Sequence, residues 1–113
     1  MQMIRHMVFM RWRRDVTEQQ INDWIVTCNR MPEKCLTLYN WYSGRAVPGP
    51  DLNSPVTHDF CASMDFRSQE EFAQFDEEPF HQSVYREAAK VVDTDSVANM
   101  NMLVEAEPLR AKS

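Results

Sequence analysis

"HDFCASMDFRSQEE", His58 to Glu71, decides the fold. His58, Phe60, Ala62, Met64 and Phe66 alternate with Asp59, Cys61, Ser63 and Asp65. A period of two with one apolar row reads as a strand that buries a single face. Ser68 and Glu71 follow at capping-box spacing, so the chain turns directly from strand into helix. Pro79 breaks that helical region and suits the first turn of a fresh helix running to about Val92. A last strand, about Val97 to Val104, precedes a polar tail, giving one domain over 1–106 and a tail over 107–113.

The same reading extends upstream. "VPGPDLNSP" (Val47 to Pro55) holds three prolines and a glycine, a stiff loop that disfavours any regular element. Before it, about Leu36 to Ala46, a strand is rich in Leu, Tyr and Trp. "TEQQ" (Thr17 to Gln20) is a second capping box, and behind it Ile21, Trp24, Ile25, Cys28 and Met31 form a helical apolar stripe that Pro32 should end. Met3 to Trp12 alternates Ile4, His6, Val8, Met10 and Trp12 against Arg5, Met7, Phe9 and Arg11. Both of its faces are partly apolar, as expected of a central strand covered on two sides, one of them by a partner chain.

The order is therefore β-α-β-β-α-β, an α+β ferredoxin-like sandwich with helices on one face of a four-stranded antiparallel sheet. Its first and third strands are expected side by side and parallel at the centre. That arrangement puts His6 and His58, each near the start of its strand, at one end of the sheet. His81 borders the stripe Val84, Ala88, Val91 on the last helix and is placed to look down on the same face.

With 113 residues the chain has room for a single core. Its net charge of −5 opposes a sequence-independent grip on nucleic acid, which needs a cationic surface. The basic run "RWRR" (Arg11 to Arg14) reads as a solvated strand end. Three cysteines, Cys28, Cys35 and Cys61, show no CxxC or zinc-like spacing and suggest free thiols in a reducing, cytoplasmic compartment. Charges interrupt the apolar residues of the opening segment, so neither a signal peptide nor a membrane partner is expected.

Three imidazoles converging between sheet and helices would line one cavity walled by Val8, Phe60, Met64 and Trp24. Mostly apolar walls with a few convergent polar groups are the usual build of a small-molecule site, and histidine moves protons near neutral pH. Taken singly, each ring reads more readily as a hydrogen-bonded core residue; their coincidence carries the catalytic reading of His81, His58 and His6. Three histidines can hold zinc, but no two share short ligand spacing and no carboxylate support is readable, so no metal is expected. With only Gly44 and Gly49 there is no phosphate loop or dinucleotide fingerprint, and no cofactor is expected.

Four segments, in order, carry a resemblance: "MIRHMVFMRWRRDVTEQQI" (Met3 to Ile21), "YSGRAV" (Tyr42 to Val47), "VTHDFCASMDFRSQEEF" (Val56 to Phe72) and "EPFH" (Glu78 to His81). Together the chain resembles the stress-responsive A/B barrel family, also called Dabb, over about Met3 to Val104. The resemblance implies a homodimer in which two sheets form a shared barrel, with Met7 and Phe9 buried by the second copy. By similarity to a plant polyketide cyclase of the family, the catalytic histidine falls on His81 and two further pocket histidines on His6 and His58. The departures are specific. A partner tyrosine of that cyclase corresponds to Phe75, which has no hydroxyl, and another pocket tyrosine to Cys28. The family's frequent His-Pro-x-His reads Glu78-Pro79-Phe80-His81.

The resulting expectation is a cofactor-free enzyme using His81 as general base, with His6 or His58 donating to a developing oxyanion. Its substrate would be a small, mostly apolar, oxygenated molecule such as a polyketide or aromatic metabolite; cyclisation, isomerisation and elimination share that first proton abstraction. The competing expectations are a non-catalytic, stress-related ligand-binding barrel and a cofactor-independent monooxygenase. An RNA-binding ferredoxin-like domain fits least, because no basic-aromatic strand pattern accompanies the acidic charge.

Overall fold

The computed structural model describes residues 1–50 and 55–105. The middle of the proline-rich loop and the polar tail over 107–113 lie outside the described residues. The elements are β1 (Gln2–Trp12), α1 (Glu18–Cys28), α2 (Met31–Lys34), β2 (Tyr39–Arg45), β3 (Phe60–Phe66), α3 (Gln69–Glu77), α4 (Pro79–Ala88) and β4 (Val92–Glu105). The strands form one sheet in the order β2-β3-β1-β4.

Local chemistry sets most of these boundaries. Thr17 completes its capping box: its hydroxyl accepts from the Gln20 amide at 3.1 Å, and Gln20 accepts from the Thr17 amide at 2.8 Å. The second box is only half made. Ser68 accepts from the Glu71 amide, but the Glu71 carboxylate turns to Arg67 at 2.6 Å, a charged donor that outcompetes a backbone amide. Pro32 does not end α1, which stops at Cys28; it sits in the first turn of the short α2, where a missing N–H costs nothing. The last helix ends at Ala88, and Val91 and Val92 are buried at the turn into β4. β4 begins five residues earlier than its apolar pattern suggests. The polar run Asp93 to Ser96 is carried across a register shift opposite Phe9 and Arg11, where the Ser96 hydroxyl accepts from the Arg11 amide.

The expected direction of the central strands is overturned as well. β1 and β3 are neighbours at the sheet centre, but antiparallel: His6 lies opposite Met64, Val8 opposite Ala62 and Met10 opposite Phe60. The reason is topological. In a split β-α-β unit the crossover joins strands that are not adjacent, so β1 runs with β2 while β3, reversed by the β2–β3 connection, lies between them. His6 and His58 therefore sit at different ends.

The helix-covered face carries the core. Met10, Phe60, Ala62, Met64 and Phe66 of the sheet pack with Trp24, Cys28, Phe75 and Val84 of the helices. The opposite face presents Met7, Phe9, Cys61 and, paired across from Met7, Met100. Near its edge lies a fully buried carboxylate, Asp65. Arg5 grips it with two bonds of 2.8 and 3.0 Å, and Asn40 donates a third at 2.8 Å. A buried charge persists only when paired and hydrogen-bonded in this way. The Asn40 contact also accounts for that residue's left-handed backbone (φ 54°) at the irregularity in β2, a conformation asparagine tolerates well.

Candidate active site

Two of the three histidines share a neighbourhood. His6 stands mid-strand on β1, half-buried, its ring 5.0 Å from that of Phe72 on α3. His81, in the first turn of α4, lies 4.2 Å from the ring of Phe75. Phe72 stacks on Phe66 at 4.7 Å and Phe66 meets Phe75 at 5.1 Å, so an unbroken run of phenyl rings joins the two imidazoles.

Each ring is held by one nitrogen. Nδ1 of His6 is 2.6 Å from Oδ1 of Asn101, its register partner on β4. Nδ1 of His81 is 3.4 Å from the carbonyl oxygen of Asp76 at the end of α3. Both partners are acceptors, so in each neutral ring Nδ1 carries the proton and Nε2 keeps its lone pair. Burial lowers the pKa of His81 below the ordinary imidazole value, and the charge of His6 lowers it further, against the opposing Asp76 carbonyl and charge. A proton is therefore held less readily on His81 than on an ordinary imidazole.

His58 departs from the expected trio. Its ring packs 6.0 Å from Phe9, on the face of the sheet without helices. Both nitrogens are occupied: Nε2 is 3.2 Å from the Ser96 carbonyl and Nδ1 2.9 Å from the Thr57 hydroxyl. Since a carbonyl only accepts, Nε2 carries the proton and Nδ1 accepts from Thr57. His58 ties the start of β3 to the irregular part of β4, and no free nitrogen remains for chemistry.

The expected walls divide likewise. Met64 faces His6 across the β1–β3 pair, Val8 is its next neighbour on the same face, and Phe75 lies against His81. Phe60 and Trp24 gather instead around Trp12, with ring separations of 5.4 and 6.0 Å to it, and Trp24 donates to the Val84 carbonyl. Cys28 is a buried core thiol whose pKa burial pushes up to about 12, so it offers no thiolate. Two open clefts of about 420 and 440 Å³ meet at Trp12 and Asp59, the end of the sheet away from His6. Among the described residues no group of three or more His, Cys, Asp or Glu is placed to hold a metal, and no helix is long and apolar enough to cross a membrane.

Asn101 was not legible as a site residue. Its alternation in "NMNM" puts it on a known face, but only the β1–β4 register sets it opposite His6.

The stress-responsive A/B barrel domain model matches residues 4–102. The chain belongs to this family. Among solved structures similar to this Dabb chain is a hydroxynitrile lyase from Passiflora edulis, at TM-score 0.79 and 18% identity over 93% of this chain and 95% of that one. A dimeric ferredoxin-like protein of unknown function from Thermobifida fusca gives 0.76 and 20%, covering 91% and 92%. A Dabb family protein with a ferredoxin-like fold from Mesorhizobium loti gives 0.73 and 16%, covering 95% and 100%. Identities this low speak for the fold alone. Comparison with the curated proteins finds no match.

Proposed function

We propose that this Dabb protein carries out cofactor-free proton transfer on a small, mostly apolar, oxygenated substrate, with His81 as general base and His6 as general acid. The observation that carries the reading is the pair of imidazoles, each oriented through Nδ1 by an acceptor, with no protein partner for either Nε2 among the described residues. Neutral His81 removes a proton from a hydroxyl or from a carbon beside a carbonyl. Protonated His6 then donates from Nε2 to the negative charge that develops. Phe75 supplies a flat apolar wall but no hydroxyl, which leaves that charge to His6.

A lyase reaction fits these roles. With a cyanohydrin, Nε2 of His81 takes the hydroxyl proton and the oxygen's electrons form the carbonyl. The C–C bond to the nitrile breaks, its electron pair leaves as cyanide, and His6 protonates the cyanide. The Passiflora edulis neighbour, a hydroxynitrile lyase, supports trying this substrate class first. Cyclisation or isomerisation would begin with the same abstraction.

Two assays test the reading. Benzaldehyde release from mandelonitrile, corrected for buffer, should be accelerated by the protein. Its acid limb should fall below 6.5, because burial lets His81 stay neutral at lower pH than an ordinary imidazole. Exchange of the α-protons of acetophenone in D2O tests base catalysis whatever the natural reaction is. Failure to accelerate either would leave a ligand-binding barrel without chemistry.

The functional unit we propose is a homodimer. Met7 and Phe9 stand half-buried on the uncovered face, while Met100 and Tyr42 are 54% and 65% exposed. Structural neighbours are described as dimeric, and a two-fold pairing of this face with itself would remove those side chains from water.

A further inference from the structure

We propose that Met7, Met100 and Met102, on the sheet face without helices, form a modification site: hydrogen peroxide converts their thioethers to sulfoxides, and the homodimer comes apart. This rests on the self-pairing of that face proposed above and gives it a regulation.

Strand register brings the three side chains together. Met7 lies directly opposite Met100, and Arg5, two residues back on β1, lies opposite Met102. Residues paired across an antiparallel ladder share a face, and diagonal neighbours stand about 7–8 Å apart, within reach of a long side chain. Phe9, Cys61 and Ala98 continue the patch. The Arg5 guanidinium, which could receive a sulfoxide oxygen, is already clamped on Asp65 by two bonds. Hydroxyls stand near Met7, at Ser63 and Tyr42, whereas Met100 and Met102 on the edge strand have Met7 and Arg5 as register partners.

Exposure separates these methionines from the others of the sheet and helices. Met10, Met31 and Met64 are buried in the core, and Met3 is buried as well. In the single chain Met100 is 54% exposed, while Met7 and Met102 are half-buried. Peroxide therefore meets the pairing face first and spares the core thioethers, and with them the fold. Cys61 shares the face, but burial raises its pKa and leaves little of the thiolate that reacts with peroxide.

The step is a two-electron oxidation. A thioether lone pair attacks one peroxide oxygen, the S–O bond forms as the O–O bond breaks, and the other oxygen leaves as water. Sulfur is oxidised and peroxide reduced, and a flexible apolar side chain becomes a polar one. In a two-fold pairing each oxidised position enters the interface twice. Burying two sulfinyl groups that lack partners should weaken the dimer by about a hundredfold. Because each copy shields the other, oxidation proceeds through free chains and should be faster on dilution.

Sedimentation velocity before and after excess hydrogen peroxide tests this, with peptide mass spectrometry locating each added oxygen. The untreated protein should be a dimer. The treated protein should be a monomer of unchanged circular dichroism carrying sulfoxide at Met100 and at Met7 or Met102. Methionine sulfoxide reductases for both epimers should restore the dimer. The Met7→Leu/Met100→Leu/Met102→Leu variant, close in volume, should stay dimeric in peroxide. Met100→Gln, which places an amide there, should weaken the dimer without any oxidant. A wild type that carries these sulfoxides yet stays dimeric overturns the switch and leaves the dimer standing. So does peroxide that spares the three positions, unfolds the chain, or dissociates the triple variant equally. An untreated protein that is monomeric removes the self-pairing, and the switch with it.

Discussion

His81→Ala is expected to lower protein-dependent proton transfer by about 10²- to 10⁴-fold, the usual contribution of a positioned acid or base. The fold should survive the change. The His81 ring is only half-buried, and its single bond, 3.4 Å to a carbonyl, orients the ring without anchoring the fold. His6→Ala should lose a similar factor, and the double variant should be no worse than the more damaging single one, because the two rings act as a unit in one step. His58→Ala separates this account from a three-histidine pocket: it should retain the wild-type kcat while loosening the junction of β3 and β4. A rate loss at His58 matching that at His81 would restore the trio. Full activity in His81→Ala would remove the base. Initial rates at saturating substrate, with circular dichroism to confirm folding, decide among these outcomes.

Phe9→Asp carries the second large effect. Phe9 lies on the uncovered face of β1, between Cys61 on β3 and Ala98 on β4. In a two-fold dimer the substitution enters the interface twice, each copy burying a carboxylate that lacks a partner. Even about 4 kcal/mol in total weakens the dimer roughly a thousandfold, and buried unpaired charges cost at least that much. Light scattering at micromolar concentration should therefore give the monomer mass. Val26→Asp, on an α1 position that is 66% exposed, should leave the dimer intact. A dimeric Phe9→Asp, or a monomeric wild type, would rule out the uncovered face as the contact.

Elements were legible in the sequence because their signals are local. The alternation from Phe60 to Phe66, the capping residues Thr17 and Ser68, and Pro79 at the start of α4 each act within a few residues. Strand direction is not local. Alternation reports which face a side chain takes but not which way its strand runs, and that single error moved His58 to the wrong end. His58 also shows where alternation stops: it precedes the first paired residue of β3, and its bonds to Thr57 and Ser96 turn the ring to the other face. Of the candidate site, the placement of His6, His81, Met64 and Val8 follows from position on an element, whereas Phe75 was pointed to only by the family resemblance. Phe60 and Trp24 were assigned to the right core but to the wrong end of it, because a helical stripe gives the direction a residue faces and not its height along the sheet. Asn101 needed the β1–β4 register.

We propose that His6 and His81 share one environment and act as one acid–base pair while His58 stands apart. An NMR pH titration of the three histidine rings, in wild type and His6→Gln, tests it most directly. In the wild type His81 should titrate below the ordinary 6.5, and in His6→Gln its titration should move upward, because a repelling charge has been removed. His58 should not respond. A His81 midpoint that ignores the loss of His6, or a His58 midpoint that follows it, would contradict the pairing.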